Sequence, residues 1–141
     1  MFNFLLSFET TLDSGTRIDL LSERTLNALR DENARQGNSN QAKYRECKIV
    51  VKAAGGRRLE VLGKVFMHLS FGKKVDFKTV FVIVRDLGVP ALLGTATMHR
   101  VGIDLCFTKP YRIVCQIAEA RGGGKATFPL ETDAADVVES Y

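Results

Sequence analysis

Asp13, Ser14 and Gly15 are the residues of this chain with the clearest capacity for chemistry; they fall near the start of the segment LDSGTRIDLL, Leu12 to Leu21. Hydrolysis of an amide by carboxylates needs two of them sharing one proton. One activates water as a general base while the other donates to the carbonyl. Their proximity drives the two pKa values apart, because like charges close together resist joint ionisation. Such a pair titrates as a unit. The tripeptide occurs once in the chain, so Asp13 would need the Asp13 of a second copy, brought opposite by a two-fold axis. Gly15 lets the backbone turn tightly and places amides near the carboxylate. Ser14 can tie the loops of the two subunits together by hydrogen bonding. Taken alone, the three residues read more readily as an ordinary turn.

The rest of the chain must position this tripeptide. Its 141 residues suit one domain, and a 45% hydrophobic content with nine Phe supports a real core. Residues 2–8 read as a strand, and 11–13 carry the chain into the turn. A helix is expected over Ser22 to Arg30, with Ser22 as cap and Leu26 and Leu29 on its apolar face. The polar stretch 31–41 reads as a loop. Strands are expected over 47–52 and 59–62, joined by a hairpin tip at 53–58 that contains Gly55 and Gly56. Val65, Met67, Leu69 and Phe71 alternate on one strand face. After a turn at 72–74, Val75 and Phe77 begin another strand, and 79–84 reads as buried. A turn at 86–90, a short helix over 95–101 and a strand over 102–107 follow. Residues 111–117 and 125–129 read as hairpin arms around Gly122, Gly123 and Gly124. The whole is expected to be all-β with one or two small helices. The domain spans 1–132, and 133–141 forms an acidic tail or linker.

Composition narrows the function classes. The net charge of +4 favours solubility and tolerates an anionic partner. Basic residues gather between Lys43 and Arg58 and at Lys73 and Lys74, yet without the interleaved aromatics of a single-strand groove. Nucleic-acid binding by an unrelated small β-barrel is therefore a minor alternative. Cys47, Cys106 and Cys115 are odd in number and widely spaced, which fits free thiols in a reducing compartment. Cys106 and Cys115 read as core fillers. Three scattered Cys and two His make no zinc pattern. Residues 1–8 are apolar but lack the features of a signal peptide. No run approaches the roughly 18 apolar residues of a spanning helix. The expectation is an intracellular, cytoplasmic protein without membrane contact. Asp104 reads as structural, Asp19 as part of a helix approach or a surface pair, and His68 and His99 as surface or edge residues.

Several stretches, in order, resemble the retropepsin-like aspartic proteases, especially those of gypsy-type long-terminal-repeat retrotransposons or a domesticated derivative. Residues 12–16, LDSGT, resemble the catalytic loop, and 18–29 the segment that enters a small helix. Residues 51–63, VKAAGGRRLEVLG, are similar to the flap hairpin and the strand leaving it. VPALLG, 89–94, followed by GIDL, 102–105, resembles the apolar-apolar-Gly motif that backs the catalytic loop. The likeness runs from about residue 5 to the terminal hairpin at 111–130. It implies a closed β-barrel, one domain per subunit of a homodimer, hydrolysing peptide bonds without metal or other cofactor. An extended polypeptide, with the parent polyprotein as one candidate, would lie under two flaps whose tips fall at Ala53, Ala54, Gly55 and Gly56. Thr16, Arg17 and Ile18 would flank the cleft. Leu92 could line its wall, with Leu93 structural. The alternative is a catalytically weak or inactive protease-like domain used for dimerisation or peptide binding.

Overall fold

The computed structural model describes residues 8–13, 15–37, 44–53, 55–71, 75–108, 112–118 and 125–129. In chain order the elements are β1 (Thr11–Leu12), β2 (Asp19–Ser22), α1 (Glu23–Arg35), β3 (Val51–Lys52), β4 (Arg58–Leu59), β5 (Val61–Phe71) and β6 (Val75–Val84). They continue with β7 (Ala91–Leu93), α2 (Thr95–Val101), β8 (Ile103–Thr108), β9 (Arg112–Ala118) and β10 (Lys125–Pro129). The strand expected at 2–8, except for Phe8, lies outside the described residues, as do the turns at 72–74 and 122–124 and the acidic segment 133–141.

The expectation of an all-β closed barrel is not met. Among the described residues the fold is mixed α/β, with two helices, and its sheets are open. The five-stranded sheet runs β1-β7-β2-β6-β5, so β1 and β5 are its outer strands and the ladder does not return on itself. Two of its pairings are parallel, β1 with β7 and β2 with β6. Closure would require the outer strands to pair. Strand periodicity carries no information on which strand ends meet.

The chain divides into two compact units. One comprises Met1–Leu69 and Phe77–Thr97, the other Ser70–Asp76 and Met98–Tyr141. In the first, β2 and β6 pair with Asp19 opposite Phe81, Leu20 opposite Val82, Leu21 opposite Ile83 and Ser22 opposite Val84. Paired residues share a face and successive residues alternate. Leu20, Val82 and Val84 therefore face one way and join Val51 in an apolar cluster. Leu21, Phe81 and Ile83 face the other way and are fully buried. Each such side chain contributes about 1.5–3 kcal/mol of burial free energy.

Helix α1 packs on β2. Ser22 caps it: its Oγ accepts from the Thr25 amide at 3.1 Å. Leu26, Leu29 and Asn33 are buried, one stripe at helical spacing. The helix runs through Arg35, so the first part of the loop expected at 31–41 is helical. The polar sequence hid this, because Asn33 extends the buried stripe without being apolar. Glu32, Ala34 and Arg35 are good helix formers, and Arg35 pairs with Glu32 at 3.3 Å. The strand expected over 47–52 shrinks to Val51–Lys52; Ile49 and Val50 are exposed and outside any ladder among the described residues. Within the segment expected to be buried at 79–84, Val80 is exposed although it shares a face with the buried Val82 and Val84; it lies before Phe81, where the pairing with β2 begins.

The second unit holds an antiparallel meander of order β10-β9-β8. Ile103 pairs with Ile117 and Thr108 with Arg112, while Lys125 pairs with Ala118 and Pro129 with Val114. Pro129 sits in an edge strand, where a missing N–H is tolerated. The expected terminal hairpin and the short helix over 95–101 are both present. No helix among the described residues is long and apolar enough to cross a membrane.

Candidate active site

The loop that carries Asp13 is placed by sheet topology. β1 and β2 lie on opposite sides of β7, β1 parallel and β2 antiparallel to it. Residues 13–18, which join β1 to β2, must therefore cross the C-terminal end of β7. The crossing is hydrogen-bonded on both sides. Asp13 N donates to Leu93 O at 3.0 Å, and Thr95 N donates to Thr16 O at 2.8 Å. Gly94 lies directly beneath. A Cβ there would come within 2.6 Å of Ile18 O and 2.7 Å of Arg17 C. Only glycine allows the two backbones to approach this closely.

Asp13 is half-buried. Its Oδ1 accepts from the Gly15 amide at 2.8 Å, and a weak turn bond runs from Thr16 N to Asp13 O at 3.4 Å. Its Oδ2 has no hydrogen-bond partner among the described residues. A carboxylate held by one oxygen and open at the other can accept a proton from water or share one with a second acid. Ser14 lies outside the described residues. Gly15 and Arg17 are exposed, and Thr16 and Ile18 are partly buried. Thr16 Oγ1 makes only long contacts, 3.4 Å, to the Ile18 amide and carbonyl.

Asp19, at the far end of the same loop, opens the strand that leads straight into α1, as the helix-approach reading expected, and is not a member of a surface pair. It is 3% exposed. Its Oδ1 accepts from Gly94 N at 2.8 Å, and its Oδ2 accepts from the hydroxyls of Thr79 and Thr97. The Asp19, Thr97 and Gly94 set is reminiscent of an Asp-Thr/Ser-Gly signature, although its members come from β2, α2 and the residue after β7. Both oxygens are occupied and water is excluded, so the set fixes β7, α2 and β6 against the loop. The sequence did carry a signal: an acid between Ile18 and Leu20 in an apolar run must find donors if the run is buried.

The β3–β4 hairpin reaches the same region through its base. Val51 pairs with Leu59 and Lys52 with Arg58. Val51 belongs to the cluster with Leu20, Val82 and Val84, and Ile18, Leu59 and Leu92 pack against it. The apolar residues of the loop, of β7 and of the hairpin base are thus brought together. Leu93 is fully buried, and Leu92 is only partly so. At the tip, Gly55 and Gly56 are exposed with φ of 92° and 85°, values that favour glycine. Ala53 is partly buried, and its amide donates to Arg57 O at 2.8 Å. Ala54 lies outside the described residues.

A solved structure resembles this chain over most of its length. It is the retroviral protease-like domain of Ddi1 from Leishmania major, 13% identical, with a TM-score of 0.58, covering 90% of this chain and 87% of that one. The fold is retropepsin-like. No family model and no curated protein matches the chain. At this identity the likeness speaks for the retropepsin-like fold alone.

Other candidate groups fall elsewhere. Asp104 is exposed in β8, His68 is partly buried in β5 and His99 is exposed in α2. Cys47 is a free, partly buried thiol. Among the described residues no cluster of His, Cys, Asp and Glu has the makings of a metal site. An open depression of ≈ 550 Å³ lies against α1, lined by Glu23, Arg24, Asn27, Asp31, Arg85 and Asp86 among others. It includes none of the expected site residues. Arg85 is already engaged there, with Glu60 at 3.0 Å and Glu23 at 3.6 Å.

Proposed function

We propose that this chain is an aspartic endopeptidase that works as a homodimer, with Asp13 of each subunit forming the catalytic pair. The observation that carries the reading is the half-open carboxylate of Asp13, held at one oxygen by Gly15 on a loop clamped to β7 and the start of α2. The retropepsin-like fold supports it. In the reaction, one Asp13 takes a proton from water as the water attacks the peptide carbonyl. The other, protonated, donates to the carbonyl oxygen, and collapse of the tetrahedral adduct returns a proton to the leaving amine. Ser14 and Gly15 shape the loop. Thr16, Arg17, Ile18 and Leu92 border the bound chain, and the hairpin tip at Ala53, Ala54, Gly55 and Gly56 closes over it. An extended polypeptide, such as a parent polyprotein, is the substrate, and the compartment is intracellular.

The test is cleavage of an unfolded protein or a mixed peptide library on the acid side of neutrality, compared between the native chain and Asp13→Asn. Cleavage that disappears in the variant is expected. Equal cleavage by both would overturn the assignment.

A second reading is favoured by one observation. Asp19 has both oxygens committed, so one chain offers a single available carboxylate on this loop. If the chains do not pair, the domain binds peptides or partners without cutting them. Sedimentation analysis together with the cleavage assay separates the two, since a monomer that binds peptide and never cleaves supports the second.

A further inference from the structure

We propose that the β3–β4 hairpin docks an acidic stretch of polypeptide, so that the substrate class of the endopeptidase reading is a chain with carboxylates near the cut site. The hairpin places two cations directly opposite each other, Lys52 and Arg58. Cross-strand neighbours have Cβ atoms about 4.5–5.5 Å apart, and like charges in that position repel. Arg57 adds a third charge next to them. All three are exposed, and none has an ion-pair partner among the described residues. Residues 51–59 contain no acid. The nearest carboxylates in sequence are engaged, Glu46 with Lys48 at 3.8 Å and Glu60 with Arg85 at 3.0 Å. Arg17, exposed on the loop beside Asp13, is also without an ion pair among the described residues.

A repelling pair on a two-stranded ribbon costs the free protein stability, and a carboxylate bridging Lys52 and Arg58 relieves it. An extended polypeptide presents side chains to one side at every second residue, so acids at alternate positions can reach the ribbon together. Nucleic acid is the weaker match. Residues 45–59 include no aromatic side chain on which a base could stack.

This proposal rests on the hairpin being a substrate flap, and binding is read separately from cleavage so that the two can fail independently. The experiment uses the full chain carrying Asp13→Asn and fluorescence anisotropy with three labelled probes: a decapeptide alternating Ala and Glu, its Ala and Gln counterpart, and a single-stranded oligonucleotide. The acidic peptide is expected to bind about tenfold more tightly than the neutral one, the sum of a few exposed ion pairs. That preference should fade near 1 M salt, where the Debye length is about 3 Å. Replacing Lys52, Arg57 and Arg58 by Gln should abolish it, with a melting temperature equal to or slightly above that of the native chain because the cross-strand repulsion is removed. The pair Lys52→Glu and Arg58→Glu should turn it toward a basic peptide. Equal binding of the acidic and neutral peptides, tighter binding of the oligonucleotide, or a preference that survives the triple replacement would overturn the proposal. Absence of cleavage by the native chain with the acidic preference intact would remove the peptidase reading and its substrate class, and leave the docking of acidic polypeptide on the hairpin standing.

Discussion

Asp13 and Asp19 stand at the two ends of one loop, and their surroundings are opposite. Asp19 is buried, with a backbone amide on one oxygen and two threonine hydroxyls on the other. Asp13 is half-buried, with a single amide on one oxygen and, among the described residues, no partner on the other. The same side chain is a structural anchor where both oxygens are engaged and a candidate reagent where one is left open. Burial with complete hydrogen bonding makes a carboxylate costly to remove and inert to solvent. Partial exposure with an incomplete set does the reverse.

The sharpest way to test the contrast is to replace each aspartate in turn. Asp13→Asn should lower peptide hydrolysis by about 10²–10⁴-fold, the range for losing a positioned acid or base, while stability stays within about 0.5 kcal/mol. A large loss of stability in urea titration would show that Asp13 also serves as an anchor. Asp19→Ala should behave in the opposite sense. It strips partners from three buried donors, each costing about 1–3 kcal/mol when unsatisfied, so a loss of roughly 3 kcal/mol or more is expected. Unchanged stability would collapse the distinction.

Gly94→Ala strikes both aspartates through one atom. The added Cβ meets the Ile18 carbonyl and the Arg17 backbone, and overpacking of this kind costs about 1–3 kcal/mol. Since Gly94 also donates to Asp19 and sits under the Asp13 loop, activity should fall further than the stability loss explains. Calorimetry and turnover measured on the same preparation check this. The smallest effect is expected at Arg85→Ala. Its pairs with Glu60 and Glu23 are partly exposed, so less than about 1 kcal/mol should be lost. A larger loss would mean that surface pairing, and not burial alone, makes a carboxylate matter in this protein.

The strands, the terminal hairpin, the short helix over 95–101 and the Ser22 cap were legible because each leaves a local signature in periodicity, turn residues or capping. The turn at Asp13, where the Gly15 amide meets the carboxylate, has a local signature of the same kind. The open sheet was not, since the placement of β7 between β1 and β2 depends on residues far apart in sequence. The extension of α1 to Arg35 was hidden by Asn33, a polar residue in a buried stripe. The burial of Asp19 was hidden because its donors, Gly94, Thr79 and Thr97, are remote in the chain. Gly94 was noticed as part of a motif, but its steric reason, the loop crossing it, became visible only with the fold.

The crossing over β7 also bears on when a working site can exist. The bond from Gly94 to Asp19 closes a separation of 75 residues, and that from Thr97 one of 78. Contacts of such long range form late, because the chain entropy of closure must be lost before they reward it. A growing chain would display the Asp13 tripeptide long before β7 emerges to fasten it. Pulse-labelled hydrogen exchange during refolding should find the Asp13 and Gly94 amides protected together, after the amides of α1. The expected consequence is latency by topology: the Asp13 loop stays slack during synthesis and tightens only once the strand beneath it has arrived.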